Sequence, residues 1–166
     1  MINPATSPLP SAMHTLAVER QGLEALESAL GGSLGQAFSH AIERILLCSG
    51  RLIVTGIGKS GHIGRKIQAT LASTGTPSLF VHPAEAAHGD LGMVAAGDVI
   101  LALSNSGETT ELAAILSYAS HRQLDVIAIT SVETSALARA AKIALVLPPA
   151  REACPMGLAP TPSTLL

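Results

Sequence analysis

At 166 residues the chain suits one domain built around a single sizeable core. Hydrophobic residues make up 48% of it, mostly Ala, Leu, Ile and Val, whereas aromatic residues are 2% and the formal net charge is -2. So few rings exclude a base-stacking surface for single strands, and the missing basic footprint excludes duplex binding, which leaves small-molecule chemistry as the expectation and no nucleic-acid partner. No apolar run approaches the length of a bilayer span, and the first ten residues lack a basic segment followed by an apolar one, so a cytoplasmic protein with no membrane partner is expected. Cys48 and Cys154 sit in unlike contexts and suggest neither a disulfide framework nor a cysteine-based metal site.

Residues 1–12, punctuated by Pro4, Pro8 and Pro10, read as a flexible lead to one domain over 13–166. Leu16, Leu23, Leu26 and Leu30 recur at helical spacing, and Gly31-Gly32 stops that helix. A second helix is predicted from Leu34 to Cys48, with Phe38, Ile42, Ile45 and Leu46 facing inward and Gly50 as its stop. Strand and helix then alternate: strands over 51–55, 78–81, 98–103, 126–130 and 143–147, and helices over 59–73, from Glu111 onward, and over 135–141. Near-continuous apolar strands are expected where helices cover both faces of a sheet. The predicted fold is therefore α/β, a three-layer αβα sandwich on a five-stranded parallel sheet of the flavodoxin or Rossmann type, preceded by an α-hairpin. The proline-rich stretch from Glu152 to Pro162 reads as a loop of defined shape, with no closing element before Leu166.

Two turns carry most of the functional signal. Gly56-Ile57-Gly58-Lys59-Ser60-Gly61 and Ser104-Asn105-Ser106-Gly107-Glu108-Thr109 each leave a predicted strand and enter a predicted helix. Glycines there let the backbone approach a ligand closely, and the first N–H groups of a helix lack intrahelical partners, so an anion gains both donors and a favourable dipole end. Ser104, Ser106 and Thr109 add hydroxyls to the second turn, although Ser and Thr at such junctions also serve simply as helix caps. Because parallel strands bring these ends to one edge of the sheet, the pair points to one anionic ligand held between them. Lys59 strengthens this, since a cation beside a helix N-terminus is electrostatically misplaced unless an anion is near.

Better-known phosphate motifs fit less well. Gly56, Gly58 and Gly61 satisfy G-x-G-x-x-G, but the acidic residue expected at the end of the following strand is replaced by His82 and Pro83. Gly58-Lys59-Ser60 resembles a P-loop, but the first glycine of that motif is missing, its place taken by an apolar residue of the preceding strand. A kinase-type glycine loop would need partner motifs that are not visible.

Ionisable groups concentrate between His82 and Met93, unusually for a chain that is 13% charged. Glu85 and His88 share a face if this turn is helical, and His88, with Glu85 and Asp90 beside it, suits proton transfer near neutrality or a plain structural hydrogen bond. His82 suits strand capping or metal ligation. Glu111 falls in the first turn of a helix, where a carboxylate is stabilised in any case. Glu152, in its proline-rich loop, has no comparable structural explanation.

The runs from Gly58 to Lys66, Ser73 to Pro77, His82 to Met93, Ser104 to Thr109 and Glu152 to Pro160 closely resemble the sugar isomerase (SIS) domain of the D-arabinose 5-phosphate isomerase family. The resemblance implies an aldose-ketose isomerase that interconverts D-ribulose 5-phosphate and D-arabinose 5-phosphate through a cis-enediol, at the entry to Kdo and lipopolysaccharide synthesis, and that works as a homotetramer. It implies Lys59, Glu111 and Glu152 as catalytically relevant, and His88 is expected to join them by shuttling a proton between the sugar oxygens. Substrate contacts are expected from Gly58, Ser60, Gly75, Thr76, His88, Ser104, Ser106 and Thr109, with the stretch from Pro148 to Ala150 lining the pocket. No cofactor is required, and zinc is the metal expected if His82 acts as a ligand. Relatives continue with a further helix, a His-Pro-Gly-Gly segment and CBS domains, and Pro162 stands where they more often carry Ser or Thr, so the domain reads as truncated. A phosphosugar-binding module without catalysis, or an inactive fragment, remains the alternative.

Overall fold

The computed structural model describes residues 8–154, 156 and 159–165; the expected lead over 1–7 lies outside the described residues, as do Pro155, Gly157, Leu158 and Leu166 of the C-terminal stretch. Five strands, β1 (Leu52–Gly56), β2 (Ser78–Phe80), β3 (Val99–Leu103), β4 (Asp125–Thr130) and β5 (Ile143–Val146), pair in parallel in the order β2-β1-β3-β4-β5. The helices are α1 (Pro8–Leu30), α2 (Ser33–Leu46), α3 (Gly58–Ser73), α4 (Pro83–Ala87), α5 (Leu112–Arg122), α6 (Ala136–Ala140) and α7 (Pro162–Leu165), with a 3-10 turn over Asp90–Met93.

Alternation along the central strands builds two cores. Ile53, Ile100, Val126 and Ala128 pack with Ala86 of α4, Leu112 and Ile115 of α5 and Leu137 of α6. Leu52, Val54, Leu101, Ile127 and Leu145 face the other way, onto Leu34 and Ala41 of α2, Ile63 and Ile67 of α3, and Leu26 of α1. Every residue of β1 and β3 is buried, so these strands must be apolar on both sides, as their sequence is.

The hairpin differs from its sequence reading. Helix α1 begins at Pro8, so residues 8–12 are helical rather than part of a lead; proline is tolerated in a first turn because the amide it lacks is one the helix would leave unpaired. Of the residues expected to face inward on α2, Phe38, Ile42 and Leu46 are exposed, Leu46 by 78%, while Leu34 and Ala41 make the buried contact and Ile45 packs beside them. Leu16, Leu23 and Leu30 of α1 are exposed as well. The leucine spacing is real, but it marks the outer face, because the hairpin meets the rest of the domain through small or neighbouring residues such as Val18, Gly22 and Ala41.

Charged clamps hold the sheet edge remote from the strand C-termini. Asp98, buried just before β3, accepts from the Arg51 N–H at 2.7 Å, the Ala95 N–H at 2.9 Å and Arg51 Nη2 at 3.2 Å. Asp125, at the start of β4, accepts from Arg44 Nε on α2 and from Lys142 Nζ at 2.9 Å, tying β4 to α2 and to the residue that leads into β5. Burial raises the Asp125 pKa, but hydrogen bonds and charge from Arg44 and Lys142 outweigh it and hold the carboxyl below its ordinary value. A carboxyl depressed in the folded state contributes stability that is present above its unfolded pKa and lost as pH falls through the folded value. Asp125→Asn is therefore expected to lower the melting temperature at pH 7 and to lose that effect below the ordinary carboxylate range, followed by thermal denaturation at several pH values. A difference that persists or grows in acid contradicts this account.

Candidate active site

The sheet reverses its winding between β1 and β3. Their last residues, Gly56 and Leu103, are register partners, yet the chain after Gly56 climbs into α3 on one face and the chain after Leu103 leads to α5 on the other. Loops that part in this way leave a crevice at the carboxyl ends of the strands, where ligands of open α/β sheets bind. Both turns singled out from the sequence border that crevice.

The first turn presents an unguarded helix start. The residue capping α3 is Ile57, which offers no side-chain hydrogen bond, and the first turn holds no acidic residue. The earliest amides of α3 thus face the crevice without a capping acceptor, and Lys59 is exposed beside them. The glycines divide their work differently from the sequence reading. A Cβ on Gly61 would lie 2.7 Å from the Gly56 carbonyl oxygen, and one on Gly64 3.3 Å from Val54 Cγ1, so these two let α3 lie close on β1. Gly58 alone needs a left-handed backbone, with φ of +57°.

Side chains wire the second turn together. Ser104 Oγ lies 2.7 Å from Thr109 Oγ1 and accepts from the Gly107 N–H at 3.1 Å, while Ser106 Oγ accepts from the Glu108 N–H at 3.2 Å. The hydroxyls of Ser104 and Thr109, expected to face a ligand, thus serve first to fold the loop; Ser106 remains exposed. Three bonds anchor the loop to the end of β4: the Asn105 carbonyl accepts from the Ser131 N–H at 2.9 Å and from Thr130 Oγ1 at 3.2 Å, and Asn105 Oδ1 accepts from Ser131 Oγ at 2.7 Å. Glu108 Oε1 accepts from the Ala136 N–H at 2.8 Å, at the start of α6.

Above the strand ends lies the C-terminal loop. Glu152 accepts from both the N–H and the Oγ1 of Thr161, and Thr161 Oγ1 accepts in turn from the Ala153 N–H at 2.8 Å. This corrects the reading of Glu152 as a residue without structural employment: it closes the loop and leads into α7, itself a closing turn the sequence did not suggest. Burial raises the Glu152 pKa, but hydrogen bonds from the Ser163 side chain and from Thr161 prevail and keep the carboxyl below its usual range, hence ionised at neutral pH. Two cavities meet here. One, of about 90 Å³, is bounded by Ser60, Ser104, Asn105, Ser163 and Thr164 above an apolar floor. Its neighbour, of about 150 Å³, is bounded by Asn105, Ser131, Pro148 to Ala150, Glu152 and Ser163.

Two further candidates stand in the layer of α4 and α5, whose Ala86 and Leu112 share a core. His88 is the exposed C-cap of α4, and Glu111 is the exposed residue capping α5, one position before the helix in which it was expected. His82 begins α4, its Nδ1 accepting from the Ala84 N–H at 3.3 Å. Among the described residues no group of three or more His, Cys, Asp or Glu side chains is placed to hold a metal ion. Gly75 and Thr76 lie between the end of α3 and the start of β2, at the opposite edge of the sheet from the crevice. The structure therefore sets the turns that carry Gly58, Lys59 and Ser60 and that carry Ser104, Ser106 and Thr109 along one crevice, with Ser60 and Ser104 lining one cavity and Glu152 lining its neighbour; His88 and Glu111 stand in the α4 and α5 layer, and Gly75 and Thr76 lie apart. Sequence reasoning passed over Asn105, Ser131, Thr161 and Ser163; the rule that carried the first two strand ends, applied to the end of β4, would have found Ser131.

The SIS domain family model matches residues 45–166, and the chain belongs to that family. It is 52% identical over 149 residues to the arabinose 5-phosphate isomerase KdsD of Escherichia coli O6:H1, covering 90% of this chain and 44% of that protein. To KdsD of Pseudomonas aeruginosa it is 49% identical over 154 residues, 93% of this chain and 46% of that protein. The chain thus spans less than half the length of these curated relatives. Its fold superposes on the c3406 protein of E. coli CFT073 in complex with A5P with a TM-score of 0.85 and 41% identity, covering 95% of this chain and 81% of that one.

Gly107 is the structural keystone of the second turn. It has φ of +66°, and a Cβ there would lie 2.1 Å from Ser135 Oγ and 2.9 Å from Thr130 Oγ1. Gly107→Ala combines a left-handed backbone with a clash against buried groups, so it is expected to cost at least about 2 kcal/mol in urea denaturation. Wild-type stability in this variant would show that the turn is not held as described.

Proposed function

We propose that this chain is the isomerase domain of an arabinose 5-phosphate isomerase, converting D-arabinose 5-phosphate to D-ribulose 5-phosphate and back, in the cytoplasm, as a step toward Kdo. The observation that carries the reading is the crevice between β1 and β3, bordered on one side by the uncapped start of α3 with Lys59 and on the other by the braced Ser104 to Thr109 turn. A phosphate seated there receives backbone donors from α3, the Ser106 hydroxyl and the charge of Lys59. The identity to KdsD proteins and the likeness to an A5P complex support a pentose 5-phosphate as the anion's owner.

With the phosphate anchored, the open-chain sugar extends toward the cavity that Glu152 borders. A carboxylate takes the proton from C2 of the aldose, the C–H electrons form the C1–C2 double bond, and the carbonyl oxygen at C1 gains a proton. Return of a proton to C1 and loss of the proton on O2 complete the ketose. Glu152 is the better-placed base, because it borders the cavity and Thr161 fixes its orientation; Glu111 is the second candidate. His88 is assigned the transfer between O1 and O2, and Lys59 the stabilisation of developing negative charge.

A homo-oligomer, a tetramer in this reading, is supported by the hairpin's outer face. Leu9, Met13, Leu16, Leu23 and Leu30 form an exposed stripe along α1, continued by Phe38, Ile42 and Leu46 on α2, and apolar faces of that size mark protein contacts. A second copy also supplies the route by which Gly75 and Thr76 would reach a crevice.

Isomerisation of arabinose 5-phosphate by the purified chain, followed as ribulose 5-phosphate formed, is expected, with Lys59→Ala lowering kcat/KM at least about 100-fold. Light scattering on the same samples should return a multiple of the 16.9 kDa chain. Binding without turnover by the wild-type chain would leave a phosphosugar-binding module, full activity in Lys59→Ala would remove that residue from the mechanism, and a monomeric mass would remove the oligomer.

A further inference from the structure

We propose that Ser131 is a positioning residue for substrate specificity, acting by fixing the carboxamide of Asn105 so that its Nδ2 group donates to the sugar chain between the phosphate and the carbonyl carbon. The proposal rests on the phosphosugar reading above and deepens it. Asn105, which with Ser163 is one of two polar residues that border both cavities, belongs to the second turn and faces the cavity shared with Ser60 and Ser104 and the one shared with Glu152. It stands where a ligand anchored at the first and reacting at the second has to pass.

Asn105 is also unusually constrained for an exposed residue. Its carbonyl accepts from the Ser131 N–H and from Thr130 Oγ1, and its Oδ1 accepts from Ser131 Oγ at 2.7 Å. Thr130 is fully buried at the end of β4, so the anchor belongs to the sheet and not to a loose loop. A carboxamide has one acceptor end and one donor end. With the oxygen held by Ser131, the two Nδ2 hydrogens are turned away from it, and among the described residues the bonds of Asn105 all run to residues 130 and 131. Donors in that position match the hydroxyl oxygens of an open-chain polyol. Inorganic phosphate, which fills only the anion cradle, does not extend to them.

Ser131→Ala removes only the bond from Oγ to the Asn105 side chain and leaves the Ser131 N–H and Thr130 Oγ1 bonds that brace the turn's backbone, so its effect should appear with the sugar and vanish without it. The test is calorimetric titration of the full chain with D-arabinose 5-phosphate and, separately, with inorganic phosphate. Wild type, Ser131→Ala, Ser131→Thr, Asn105→Ala and the Ser131→Ala/Asn105→Ala double variant are compared, with thermal melts confirming that each is folded. Loss of one hydrogen bond that orients a donor predicts about five- to ten-fold weaker arabinose 5-phosphate binding in Ser131→Ala and unchanged phosphate binding. Ser131→Thr, which keeps the hydroxyl, should restore the affinity. In the Asn105→Ala background Ser131→Ala should add nothing, because its partner is already gone. Equal weakening of both ligands, failure of Ser131→Thr to rescue, or full additivity in the double variant overturns the proposal. A wild-type chain that binds phosphate but not arabinose 5-phosphate overturns the phosphosugar reading itself, and the role of Ser131 with it.

Discussion

The pairing of Gly56 with Leu103 is the constraint on which the rest depends. Two parallel neighbours end level with each other, and because the helices that follow them lie on opposite faces of the sheet, their loops are forced apart at the same height. The crevice is therefore a consequence of winding order rather than of any one side chain. What the side chains decide is how each wall is finished. On the α3 wall the backbone is left without a capping acceptor, and glycines at 56, 61 and 64 bring the helix down onto β1. On the α5 wall serine, threonine and glutamate hydrogen bonds lock the turn to β4 and α6.

This division resolves the ambiguity of a Ser- and Thr-rich turn. Ser104 and Thr109 satisfy each other and the turn, so their hydroxyls organise the site before they touch any ligand, whereas the α3 terminus has no such internal partner and remains available to an anion. Glu152 belongs to the same logic: a carboxylate held by Thr161 and leading into α7 is both structural and correctly charged for chemistry. One set of hydrogen bonds fixes its direction and favours its ionised form.

The strands were legible because burial on both faces demands continuous apolar runs, and β1 and β3 have them. The two turns were legible as strand-to-helix junctions because glycine there permits a left-handed backbone at Gly58 and Gly107 and close approach of α3 at Gly61. The outward face of the hairpin was not, since Leu16, Leu23 and Phe38 have helical spacing whichever body they pack against, and a pattern of periodicity carries no label for its partner. Nor were Ser131 and Thr161, whose roles come from contacts across 26 and 9 residues that no local motif records. Gly75-Thr76 marks the reverse case, a segment singled out by family likeness that one chain's topology carries to the far edge of the sheet.

The central claim, that a single anion is gripped by both loops at once, is tested most directly by following backbone amide resonances while inorganic phosphate is titrated into the chain. The account predicts that Gly58, Lys59 and Ser60 shift together with Ser106, Gly107 and Glu108, all along one binding isotherm. Shifts confined to one loop, or two groups that saturate with different affinities, would contradict it.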